Sequence, residues 1–135
     1  MAIPTFVKKD NNNVHSELAS KLFHMRTQFH IFHLLANGIG SYAKHKALNS
    51  LYDNVLDKAD TIIETLQGKL GSNIRGYKSY PYLEDDSVES YIKECINYLE
   101  SYRNGLPKPK FDNIDNQIQT LIDDLEQTLY LLTLK

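Results

Sequence analysis

Only one cysteine, Cys95, stands in the 135-residue chain, so no intrachain disulfide can form and a reducing compartment is the natural setting. Charge of neither sign dominates. Fifteen lysines and arginines face seventeen aspartates and glutamates, and the formal net charge of −2 gives no bulk pull toward nucleic acid or membrane. No apolar run approaches the roughly 20 residues that a membrane span needs. The opening residues, MAIPTFVKKDNNNVHSE, lack the apolar core of a secretory signal. No segment alternates with the period of a strand, and there is no short repeat or low-complexity tract. These absences leave a soluble, cytoplasmic, all-α protein. Its length suits one domain that buries about two-thirds of the surface its unfolded chain exposes.

Four segments carry helical periodicity. The first runs from about Ser16 to Ala36, with Leu18, Leu22, Met25, Phe29 and Phe32 on one face. Residues 1–14, including Asn11-Asn12-Asn13, read as a flexible lead into it. Asn37-Gly38-Ile39-Gly40 is a turn, because glycine accepts the backbone angles that end a helix. The second segment, from about Ser41 to Leu70, places Leu48, Leu51, Val55, Ile62 and Leu66 in line, and Gly71 stops it. Residues 72–86 are irregular. A third helix starts at Asp86 or Ser87 and ends before Gly105-Leu106-Pro107. A fourth starts near Asp112 and carries Ile114, Ile118, Leu121 and Leu125. Two tight turns around one longer connection predict a ferritin-like four-helix bundle with a crossover between helices two and three.

Four metal-ligand side chains lie on the first hairpin: His33, His45, Asp60 and Glu64. Two imidazoles and two carboxylates suit iron(II), and zinc or another divalent metal would fit the same set. His33 and His45 flank the turn at similar distances, so an antiparallel pair places them at one level. Asp60 and Glu64 are one helical turn apart. Fifteen positions, roughly 22 Å of helix rise, separate His45 from Asp60, although the two lie within about 60° of each other around the axis. One chain cannot close both pairs on one ion. If the second helix packs antiparallel on a symmetry mate, the histidines of one copy meet the carboxylates of the other, and two equivalent sites form together. The plainer reading of either pair alone is a solvated helix face and a structural histidine.

At these residues the chain resembles the Dps family of mini-ferritins. Members of that family carry a histidine, a glycine five positions on, and a second histidine after twelve. An acidic residue follows four later, and an Asp-x-x-x-Glu pair begins fifteen after the second histidine. His33, Gly38, His45, Asp60 and Glu64 match without a gap, and Leu70-Gly71 matches the family's Leu-Gly stop. Lys78-Ser79-Tyr80-Pro81 and the last helix resemble family segments more weakly. The resemblance implies a hollow dodecameric cage with ferroxidase sites at two-fold interfaces. There hydrogen peroxide or dioxygen oxidises iron(II), and ferric mineral is stored inside. Such activity protects against oxidative stress.

Three positions depart from the pattern. Asn49 stands where the family has the acidic residue, so it can ligate or hydrogen-bond a bound water but adds no charge. Asp53, a turn further on, could compensate only if the helix rotated or a water bridged the gap. Leu34 replaces the aromatic residue after the first histidine, and tryptophan, which relays electrons there in the family, is absent from the chain. Tyr42 and Tyr52 are the nearest redox-capable side chains, and packing is their simpler role. The connection after Gly71 leaves little room for the family's small extra helix.

Of the remaining candidates, His24 and His30 read as surface or packing residues, His15 as part of a frayed helix start, and Cys95 as a small buried hydrophobe. Lys8, Lys9, Lys108, Lys110 and Lys135 could give only weak, salt-sensitive DNA contact, and solvated surface lysines are the simpler reading. The sequence thus supports an iron-oxidising mini-ferritin. Its alternative is a ferritin-like structural or assembly protein, for example phage-encoded, with a degenerate metal site.

Overall fold

Apolar residues at helical spacing find partners in four α-helices: α1 (Thr5–Leu35), α2 (Ser41–Leu70), α3 (Val88–Asn104) and α4 (Asp112–Leu132). The computed structural model describes residues 5–134, with side chains from Asn13 onward. Among the described residues there is no strand, and no helix is long and apolar enough to cross a membrane. The expected stripes are the core. Leu18, Leu22, Phe29 and Phe32 of α1 meet Leu48, Leu51, Ile62 and Leu66 of α2, Ile92 and Leu99 of α3, and Ile114, Ile118 and Leu125 of α4. Burying a side chain of this size contributes roughly 1.5–3 kcal/mol.

The α1 backbone is helical from Thr5, well ahead of Ser16, where the apolar stripe led us to start it. Residues 1–4 of the N-terminal lead lie outside the described residues, as do the side chains of Lys8, Lys9 and Lys135. The turn after α1 is built on Gly38 and Gly40, both left-handed, with φ of 92° and 79°. Gly71, at φ 70°, closes α2 by donating its N–H to the Gln67 carbonyl. Only glycine takes these angles without cost.

Neighbouring helices are α1 with α2, α1 with α3, α2 with α4, and α3 with α4. The pairs between elements fix their directions. Tyr91 packs on Phe29 and Tyr102 bonds to His15, so α3 runs antiparallel to α1. Lys58 pairs with Asp124 and Gln117 donates to Thr65, so α4 runs antiparallel to α2.

Residues 72–87 hold no helix and run along α1 in its own direction. Four α1 side chains at a spacing of four bind this segment. Ser16 donates to the Arg75 carbonyl, and Ser20 accepts from the Lys78 N–H at 2.8 Å. His24 Nε2 donates to the Pro81 carbonyl at 2.9 Å. Gln28, fully buried, donates to the Leu83 carbonyl at 2.8 Å and accepts its N–H at 2.7 Å. Backbone groups that no strand partner satisfies are thus satisfied by one polar stripe.

Candidate functional site

His33 sits in the last turn of α1 and His45 in the second turn of α2, directly across the hairpin. Their rings stack with centroids 3.7 Å apart and planes 29° from parallel. His33 Nδ1 donates to the His45 carbonyl at 3.0 Å, and His45 Nδ1 donates to the His33 carbonyl at 3.1 Å. The His33 carbonyl lies among the last four of α1, which lack an intrahelical partner, so His45 also caps the helix.

This clasp fixes the tautomers. A carbonyl oxygen only accepts, so Nδ1 carries the proton in both rings. Each neutral imidazole then keeps the lone pair on Nε2, and neither Nε2 has a hydrogen-bond partner among the described residues. An Nδ1–H bonded to a carbonyl is the support that metal-bound histidines normally have. His33 is half-buried and His45 exposed, so the pair opens to solvent at the hairpin end of the bundle.

Asn49, Asp53, Asp60 and Glu64 are exposed along the outer side of α2. No protein partner engages the carboxylates of Asp60 and Glu64 among the described residues. Within one chain the histidine pair and the carboxylate pair stay apart, and no three His, Cys, Asp or Glu side chains among the described residues gather closely enough to hold an ion.

His30, read from the sequence as a surface or packing residue, does pack, and it does so beside the histidine pair. Its ring stacks on Tyr52 at 4.2 Å and lies 6.0 Å from the His33 ring. The signal that could have found it is the spacing of three between His30 and His33, which puts both on one side of α1. Tyr42 is largely exposed, with the Lys46 ammonium 5.5 Å from its ring.

The other histidines are structural. His24 uses both ring nitrogens, accepting from the Tyr91 hydroxyl at 2.7 Å and donating to Pro81, and it stacks on Tyr82 at 4.7 Å. His15 is buried rather than frayed. Its Nδ1 pairs with the Tyr102 hydroxyl at 2.9 Å, its ring stacks on Phe111, and burial lowers its pKa. Burial pushes the Cys95 thiol up to about 12, which suits an inert core residue rather than a nucleophile. Lys108 is tied to Asp115 at 2.7 Å, and the Lys110 ammonium lies 5.7 Å from the Phe111 ring.

Fold and geometry together define an all-α four-helix bundle with a stacked, reciprocally bonded histidine pair, His33 and His45, at its hairpin end. The chain belongs to a family of unknown function, DUF5856, whose model matches residues 33–132. No curated protein and no solved structure matches it.

Proposed function

We propose that this chain is a Dps-like mini-ferritin that binds and oxidises iron(II) at sites shared between two subunits in the cytoplasm. The observation that carries the reading is the reciprocal clasp of His33 and His45. Spending both Nδ1 protons on carbonyls leaves an Nε2 lone pair on each of the two stacked rings. Asp60 and Glu64 of a two-fold partner would supply hard anionic oxygens, which stabilise the ferric product more than the ferrous substrate. The oxidant, peroxide or dioxygen, accepts the electron that iron(II) gives up. Support for the ferritin-like arrangement comes from the antiparallel neighbour pairs and from the 72–87 connection that travels back along α1. Storage in a dodecameric cage extends the same proposal.

A second reading, a bundle kept for structure or assembly with a weakened metal site, is favoured by Asn49. The amide brings no charge where the family pattern has a carboxylate.

Iron(II) oxidation, followed by ferric absorbance, separates the two. Wild type should outpace buffer, and His45→Ala and Asp60→Ala should each slow it by at least about tenfold. Coexpressing the two variants tests the shared site directly. A mixed dimer keeps one intact site of two, so a random mixture should recover about a quarter of wild-type activity. Oxidation by wild type no faster than buffer would sink the ferroxidase reading. Recovery absent from the mixture would overturn the shared site.

A further inference from the structure

A cavity of about 240 Å³ lies between α1, the 72–87 connection and α3, and no residue of α2 lines it. Met25 of α1, Pro81 and Leu83 of the connection, and Tyr91 and Cys95 of α3 give it largely apolar walls. It is smaller than the cavities that hold drug-sized ligands, so its size suits a small metabolite.

Three polar side chains set its chemistry. His24 has nothing to spare, since one ring nitrogen accepts from Tyr91 and the other donates to Pro81. Lys21 and Glu94 are different. The Lys21 ammonium is held between two rings, 4.8 Å from the centroid of Tyr80 and 4.9 Å from that of Tyr98. No carboxylate pairs with it among the described residues. Glu94, exposed on α3, has no ion-pair partner there either. A cation and an anion thus line one aromatic-walled cavity without meeting each other.

The charge around the cavity narrows the ligand. Glu17, one turn before Lys21, does not line it but acts on the same rings. Burial, and after it the Glu17 carboxylate, pushes the Tyr80 and Tyr98 hydroxyls up. With both Glu17 and Glu94 close to Lys21, a plain anion is disfavoured. A plain cation would compete with the Lys21 ammonium, which already holds the faces of the tyrosine pair. A ligand with one charge of each sign satisfies both conditions.

We infer that this cavity is a binding site for a free α-amino acid with an apolar side chain. Its carboxylate lies on Lys21, its ammonium on Glu94, and its side chain against Met25 and Leu83. Because the walls come from three elements, the bound ligand ties the connection to both helices and stabilises the folded state. None of these residues enters the metal reading.

The test uses the full chain and L-leucine, with binding read by calorimetry and by the rise in melting temperature. L-Leucine should bind saturably and raise the midpoint. N-acetyl-L-leucine lacks the ammonium and isoamylamine lacks the carboxylate. Each should bind at least about tenfold more weakly, through loss of one charge-assisted contact. Lys21→Gln and Glu94→Gln should weaken L-leucine by a similar factor, with circular dichroism to check folding. The two analogues are measured on wild type, so they decide the matter whether or not a variant folds. Absence of saturable L-leucine binding up to about 10 mM overturns the proposal. So does equal binding of either analogue, or a folded variant that binds as wild type does.

Discussion

Single residues in this protein act mostly through hydrogen atoms they are obliged to give or take. His33 and His45 each face a carbonyl, which settles where their protons sit and which nitrogen stays available. His15 shows the same logic used for stability. Burial keeps its imidazole below the ordinary value of 6.5, so the folded protein resists a proton that the unfolded chain accepts. Its contribution is therefore complete above that value and falls away as pH drops through 6.5 toward the folded value. His15→Gln keeps a polar partner for Tyr102 and removes the titration. Its urea midpoint should fall less than that of wild type between about pH 7.5 and about pH 5.5. An equal fall in both proteins would mean that another group sets the acid slope. The metal-type residues were legible in the sequence as spacing, but the carbonyl clasp was not. Nothing in a pair of histidines twelve positions apart says that each will bond the other's backbone.

Elements are joined here by polar side chains that serve as fasteners. Asp115, near the start of α4, accepts from Arg103 Nε at 2.7 Å, from Lys108 at 2.7 Å and from Gln119 at 3.0 Å, tying the end of α3 to α4. The Arg103 guanidinium above all, with Lys108 and Gln119, holds its carboxyl down to about 2. That stability is present above the ordinary 3.8 and is lost as pH falls toward 2. Asp115→Asn should cost roughly 1–3 kcal/mol at neutral pH by urea unfolding, with the gap to wild type closing in acid. Gln28→Ala removes the one side chain that satisfies both the N–H and the carbonyl of Leu83. Hydrogen exchange at the Leu83 amide should rise by about tenfold or more, while amides in the middle of α2 stay protected. The bounds of α2 were legible because glycines mark them, and it falls at Ser41–Leu70 as read, whereas the start of α1 at Thr5 carries no such mark. The docking of residues 75–83 was not, although Ser16, Ser20, His24 and Gln28 stand four apart beside the apolar stripe of α1. A polar row on a half-buried helix face reads as solvated unless something is known to lie on it.

The whole molecule is a bundle whose proposed metal site, on the outer side of α2, would need a second copy of the chain. Mutations in the core would not report on that site. Phe29→Ala, at a fully buried position, should cost about 3–5 kcal/mol and reduce every activity together. A second copy enters the metal reading only as an argument from distance, since roughly 22 Å of helix rise separates His45 from Asp60. One consequence of the row along α1 concerns tolerated chain length. Its four contacts advance by one helical turn each, so a residue inserted within 17–27 would swing every later contact by about 100° off the connection. A residue inserted at 72–73, ahead of the first contact, would lengthen a loop and nothing more. A deep insertion scan should therefore find the irregular stretch forgiving at its start, and the regular helix beneath it intolerant throughout.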